Sequence, residues 1–420
     1  MIIRRIKPEE LKRTEELFAI SFESSFDNTK TAAEVADEII NHPKSREDAE
    51  WQYRWAAFLD DDKTMTSYFI DKPYPFNFDG KTYIGSGIGG VATLPQYRRH
   101  GGIRKCFEAA LPDMYKNGMT FSYLYPFSYA YYRKFGYEMC CNAIGYDWLP
   151  SFFPRSFDVS GTCYLLDGIE VPFDEALADI KKVYQSWQHK YNMMIVNEDF
   201  EYEWVKKSNP YKDQVFTYVY RDGKGEAKAY ISFKEVDEGT DRNLIASRFV
   251  FTDLEGFKGI LNIIGSLRSD HKHFKFTLPS DIYLDSVQPE WAMGGGSKTS
   301  VRLGMARVIN AQTVLENAIY KGTGSLKIAV KDEYIPENNK VFAVEFKDNK
   351  AVSVKASDFD GDIHNSTAEI AMTVAEFSRL IIGVCNTDAI SYLDNVVVNK
   401  DSENIGKVFY KKPIFLTEYF

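Results

Sequence analysis

The sequence predicts a mixed α/β (α+β) protein of several domains, and three observations lead there. The chain is 420 residues long, well beyond the roughly 150 residues one core usually organises, so about three domains are expected. Strand-like runs between Asp- and Gly-rich turns alternate with segments whose apolar residues recur at three- and four-residue steps, as on one face of a helix. One strand-turn-helix segment recurs later in the chain in degenerate form, which reads as an internal repeat.

Composition narrows the function classes. With 44% hydrophobic and 26% charged residues the chain reads as globular, and 15% aromatic residues imply cores or pockets rich in rings. A formal charge of −9 argues against nucleic acid as the main partner, since phosphate binding wants concentrated Lys and Arg, and suits a cationic ligand better. Five cysteines, Cys106, Cys140, Cys141, Cys163 and Cys385, form no spaced framework, so buried thiols in a reducing compartment are expected. The opening MIIRRIKPEE breaks its apolar run with charges, and no stretch approaches the roughly 20 apolar residues of a membrane span. A cytoplasmic location is therefore expected.

The elements follow in order. Residues 2–6 read as a strand, and Pro8-Glu9-Glu10 opens a helix with Leu11, Leu17 and Phe18 on one side. Residues 51–93 read as an antiparallel meander turning at Asp60-Asp61-Asp62-Lys63 and Asp79-Gly80-Lys81; its last run, 84–94, is rich in glycine. Ile103, Cys106, Phe107, Ala110, Leu111 and Met114 mark an amphipathic helix that Asn117-Gly118 ends and Pro112 weakens locally. A strand at 120–125, a short helix at 128–135 and a closing strand at 137–148 complete a first domain, 1–150. The second, 151–298, holds a helix at 173–191, a hairpin at 215–236 turning at Asp222-Gly223-Lys224-Gly225, and a strand-turn-helix at 244–267. Its FVFTDLEGFKGILNIIG echoes VATLPQYRRHGGIRKCF without the paired Arg or paired Gly. Gly294-Gly295-Gly296-Ser297-Lys298 reads as a linker to the third domain, 299–420, which carries hairpin strands, a helix at 368–382 and an apolar end at 413–420.

One segment carries chemistry. A coenzyme with a diphosphate needs several N–H donors in a small space, and a strand running into a helix start through Arg and Gly supplies them. Arg98, Arg99 and Arg104 add charge, Gly101 and Gly102 admit phosphate oxygens close to the backbone, and His100 sits among them. Upstream, the main chain of Val91, Ala92 and Thr93 suits a peptide-like pantetheine arm. The bland alternative is a solvated basic turn; the place of RRHGG between a Gly-rich strand and a periodic helix favours binding. A phosphate loop of the Gly-x4-Gly-Lys-Ser/Thr kind is absent, and the run 85–90 has its helix too far downstream for a dinucleotide fingerprint. Other candidates read as structural. Cys140-Cys141 has no adjacent His; His271 and His273 lack a third ligand; Asp358, Asp360, Asp362 and Glu369 imitate a calcium loop but place Ile363 where Gly is needed. No metal is expected.

The segment VATLPQYRRHGGIRKC resembles the acetyl-coenzyme A motif of the GNAT superfamily, Arg/Gln-x-x-Gly-x-Gly/Ala, with Arg98, Gly101 and Ile103 in its three places. Ile103 departs from the usual small residue. The later YYRKFGYE, 131–138, resembles the Tyr-x-x-Phe-Gly-Tyr signature of a branch that tolerates this departure, the Eis-like (enhanced intracellular survival) acetyltransferase family. That resemblance spans the chain. It implies a catalytic GNAT domain, a second GNAT-like domain without cofactor, and a C-terminal sterol carrier protein-like domain. It further implies acetyl-coenzyme A as cosubstrate, with Phe127 and Ser128 joining the cofactor contacts, Tyr132 as general acid, and the terminal carboxylate on Phe420 as base. Primary amines of a cationic small molecule, aminoglycosides or polyamines, are the implied acceptors, and assembly into trimers or hexamers the implied state. The chemistry is coherent: a phenol of pKa about 10 is still protonated when a thiolate of pKa about 8.5 needs a proton. An α-carboxyl, at about 3.5, is a weak base unless burial raises it, though it could remove a proton through water or hold a cationic substrate, and both roles stay open. The rival is a lipid or apolar-ligand binding protein with an inert GNAT fold.

Overall fold

The computed structural model describes residues 1–153, 156–284, 296–400 and 402–417, leaving the side chains of residues 47 and 152 aside. In chain order it opens with β1 (Ile2–Arg5), α1 (Leu11–Phe22), α2 (Ala32–Asn41), β2 (Arg54–Phe58), β3 (Met65–Phe78) and β4 (Lys81–Thr93). There follow α3 (Gly102–Lys116), β5 (Phe121–Leu124), α4 (Tyr129–Arg133) and β6 (Glu138–Met139). The middle of the chain gives β7 (Asn142–Trp148), β8 (Thr162–Leu165), α5 (Phe173–Gln188), β9 (Val215–Arg221), β10 (Ala227–Glu238), β11 (Asp241–Phe251), α6 (Leu254–Ser266), β12 (His273–Pro279) and β13 (Gly296–Arg302). The rest holds β14 (Met305–Val308), β15 (Gly324–Lys331), β16 (Lys340–Lys347), β17 (Lys350–Asp358), β18 (Ile370–Thr373), α7 (Val374–Ile382) and β19 (Val396–Val398).

Three mixed sheets result, ordered β1-β2-β3-β4-β5-β14-β6, β13-β7-β12-β11-β10-β9-β8 and β17-β16-β15-β18-β19. The first and third lie in one compact unit, Met1–Cys140 with Gly304–Lys412 and Thr417; the second is the core of another, Cys141–Leu303 with Pro413–Leu416. Most of the expected domains 1–150 and 299–420 thus falls in one unit, while 141–150, 299–303 and 413–416 fall in the other.

Period-two alternation builds both faces of the first sheet. Trp55, Ala57 and Phe69 turn toward α3, where Cys106, Phe107, Ala110, Leu111 and Met114 meet them. Their neighbours Ala56, Phe58, Tyr68 and Ile70 pack on the other face with Leu11, Leu17, Val35 and Ile39 of α1 and α2. Each such fully buried large side chain contributes about 1.5–3 kcal/mol, enough for α3 to run through Pro112.

Several sequence boundaries are corrected. Residues 137–148 are not one closing strand: β6 pairs with β14 in the first sheet, while β7 lies between β12 and β13 in the second. Gly296, Ser297 and Lys298 belong to β13, and Gly294 and Gly295 lie outside the described residues, so the described part of the expected linker is strand. The helix expected at 368–382 starts later, at Val374, because Ile370–Thr373 pairs with β15 and β19. The internal echo is visible in the topology: β4 and β5 are parallel across α3, and β11 and β12 are parallel across α6.

Candidate active site

The site begins where β4 outruns β5. Parallel pairing covers Ser86↔Ser122, Gly87↔Tyr123 and Ile88↔Leu124, and β4 then continues to Thr93 against β3. Among the described residues, the other edge of 89–93 has no strand partner. Register against β3 jumps from Ile70↔Gly89 to Tyr68↔Ala92, so Gly90 and Val91 bulge opposite Phe69. Gly90 takes φ +60°, which glycine adopts freely. An unpaired strand edge at this bulge is what a peptide-like arm would pair with at Val91, Ala92 and Thr93.

Next comes the start of α3. Arg99 and Gly101 are both left-handed, at φ +68° and +81°. Gly101 is the N-cap and offers no side-chain acceptor, and the first bond onto it comes from Lys105 N–H at 3.0 Å. The N–H groups of Gly102, Ile103 and Arg104 are left for an anion, at the positive end of the helix dipole. Gly102 is obligatory there, since a Cβ would stand 2.5 Å from Ser67 Oγ. Arg98, Arg99 and His100 are exposed, and neither arginine has an acidic partner among the described residues; Arg104 leans 3.4 Å from Glu108. Ile103 packs into the core around Phe107 instead.

In the second unit the corresponding helix start is closed. Asp253 caps α6 by accepting the Gly256 N–H at 2.8 Å, which puts the protein's own carboxylate where an anion would go. Glu255 adds a second acid in the first turn.

Tyr132 lies on α4, whose N-cap Ser128 accepts the Tyr131 N–H at 3.4 Å. It is 2% exposed, ringed by Phe127, Phe107 and Tyr137 at 5.3, 6.2 and 6.4 Å. Its hydroxyl has no hydrogen-bond partner among the described residues, and burial pushes its pKa well above the usual phenol value. Tyr131 is pushed up to about 12, also by burial. The apolar cluster around Phe107 brings Tyr132 together with Ile88, Ile103 and Leu124, and Val91 packs against it. Phe127 stands out at 72% exposed beside them. Phe420 lies outside the described residues. The segment leading to it is docked: Ile414 bridges Asn192, and Phe415 packs edge-on against Trp187 at 5.8 Å.

The remaining candidates are structural. Burial pushes the Cys106 and Cys141 thiols up to about 12, which removes the thiolate a nucleophile needs. Asp362 is spent on the N–H groups of His364 and Asn365, Asp358 pairs with Lys340, and among the described residues no three metal-ligating side chains cluster. The sequence reading missed Arg307 and Asp332, a fully buried ion pair. A lone Arg within Met305-Ala306-Arg307-Val308-Ile309 was the available signal, because a charge inside an apolar strand requires a buried partner.

Residues 2–140 match the acetyltransferase (GNAT) domain, and residues 311–414 match the sterol carrier protein domain. No curated protein matches the chain. Among solved structures, a GCN5-related N-acetyltransferase from Anabaena variabilis superposes with a TM-score of 0.80 at 15% identity, covering 100% of each chain. A conserved Enterococcus faecalis protein, described as a probable N-acyltransferase, gives 0.79 at 21%, over 100% of this chain and 99% of its own. Eis1 from Mycobacterium abscessus gives 0.75 at 14%, over 100% of each. The chain thus carries an acetyltransferase (GNAT) domain at residues 2–140 and a sterol carrier protein domain at 311–414.

Proposed function

We propose that the protein moves the acetyl group of acetyl-coenzyme A to a primary amine of a cationic small molecule, aminoglycoside-like or polyamine, by direct attack on the thioester. The observation that carries this is the contrast between the two helix starts: α3 is capped by a bare glycine beside two arginines with no acidic partner among the described residues, whereas α6 is capped by Asp253. The residues fit the coenzyme. Arg98, Arg99 and the N–H groups of 102–104 hold its diphosphate, and His100, Phe127 and Ser128 border it. The edge at Val91, Ala92 and Thr93 aligns its arm. When bound, acetyl-coenzyme A supplies the activated acyl group.

Tyr132 holds the proton that the departing sulfur needs, and its raised pKa keeps that proton in place at neutral pH. The base is the carboxylate borne by Phe420 when that residue is the last. Deleting Phe420 is expected to lower kcat at least tenfold with the melting temperature unchanged; undiminished turnover would remove it from the mechanism. A net charge of −9 favours cationic acceptors through long-range attraction. The Tyr-x-x-Phe-Gly-Tyr segment, the pairing of a GNAT with a sterol carrier protein domain and the likeness to Eis1 over the whole chain support placement in the Eis-like family, with assembly into trimers or hexamers and a cytoplasmic location as parts of the same reading.

An acceptor screen tests the substrate class. Thiol release from acetyl-coenzyme A is followed with aminoglycosides, polyamines and uncharged primary amines. Turnover is expected with the polycations; turnover confined to uncharged amines would overturn the assignment.

A further inference from the structure

The helix that carries Tyr132 ends in a turn held from beyond the matched acetyltransferase segment. Phe135 N–H and Tyr137 N–H both return to the Tyr132 carbonyl, at 2.9 and 3.4 Å. The carbonyl of Phe135 in turn accepts a bond from Arg307, whose side chain on β14 is fully buried. From its other end Arg307 donates to Asp332, which is itself fixed: it accepts the N–H groups of Tyr334 and Ile335 at 2.9 and 3.2 Å and the Asn338 amide at 3.0 Å. Gly136 sits at φ +79° with no space for a side chain, since a Cβ would meet Val374 Cγ1 at 2.7 Å and the Arg307 guanidinium at 3.0 Å. A second tie runs alongside. Arg133 of α4 bonds Glu138 at 2.7 Å, and Glu138 pairs with Arg379 of α7 at 2.9 Å.

Burying an ion pair rarely adds net stability over apolar packing, so stability alone is a weak reason for Arg307 and Asp332. Geometry is a stronger one. A guanidinium is a rigid planar fork that fixes two acceptors relative to each other, here Phe135 C=O and the Asp332 carboxylate. A group that delivers a proton to a leaving sulfur depends on placement within a fraction of an ångström.

We propose that Arg307, braced by Asp332, is a positioning residue for Tyr132, so that the C-terminal part of the chain sets the aim of the proton donor. This rests on the reading of Tyr132 as that donor. Arg307→Lys keeps a charge opposite Asp332 but cannot span both acceptors. It is expected to lower kcat roughly 10- to 100-fold while KM for acetyl-coenzyme A stays within about twofold. Tyr132→Phe is measured beside it, together with the double variant. A residue acting through Tyr132 has nothing left to act on once the hydroxyl is gone, so the double variant should be no slower than Tyr132→Phe alone. Melting curves establish that each variant folds; if Arg307→Lys does not, Asp332→Asn takes its place in the same cycle. Full multiplication of the two effects in the double variant, or parental kcat in a folded Arg307→Lys, overturns the positioning role and leaves Tyr132 untouched. Parental kcat in Tyr132→Phe overturns the donor assignment, and the proposal with it.

Discussion

Alanine at both Arg98 and Arg99 is expected to weaken acetyl-coenzyme A binding about 100-fold in titration calorimetry. Hydrogen bonds to charged groups are worth about 1.5–3 kcal/mol each, and two exposed arginines, discounted for solvent screening, give about 3 kcal/mol together. That loss corresponds to roughly two decades in Kd. The fold is untouched by the change, because both side chains are exposed and have no acidic partner among the described residues. Unchanged affinity in the double variant would show that the diphosphate lies elsewhere. No binding even by the parent protein would favour the rival reading, an apolar-ligand binder on an inert scaffold.

Tyr132→Phe keeps the ring in its aromatic surroundings and removes only the hydroxyl. The expected result is a fall in kcat of about 10²- to 10⁴-fold, the usual reach of general acid catalysis, with little change in melting temperature. The pH profile carries the same argument. A raised phenol pKa means that the protonated, donating form persists beyond the ordinary value of about 10. Activity should therefore climb as the acceptor amine loses its proton and show no descending limb below about pH 10. A descending limb near neutrality that Tyr132→Phe abolishes would contradict this.

Much of the candidate site's local geometry was legible because its signals are local. Glycine at 101 and 102, arginine at 98 and 99 and the periodic apolar positions of α3 each answer a demand set within a few residues, and the structure meets them with a left-handed cap and a close approach to Ser67. The strand-turn-helix echo was readable for the same reason. What escaped was set by distant partners. The run 137–148 has continuous strand character, and nothing in it announces that β6 pairs with β14 while β7 pairs with β12 and β13. Gly296-Ser297-Lys298 looks like a spacer by composition, yet antiparallel pairing with Trp148, Asp147 and Tyr146 makes it strand. The grip of Arg307 on Phe135 joins residues far apart in sequence. Only its oddity in an apolar run hinted at it.

The position of β14 has a consequence for how the molecule is made. Leu124 of β5 pairs with Met305, and Met139 of β6 has the same partner, so a growing chain that has released both strands still lacks the one that belongs between them. Through the synthesis of the whole middle portion, β5 waits with an unoccupied edge, open to any passing strand. The ribosome must deliver about 180 residues beyond β5 before the first sheet can close. Cells that make this enzyme are thus expected to shield that edge in nascent chains, and premature termination yields a product prone to stick.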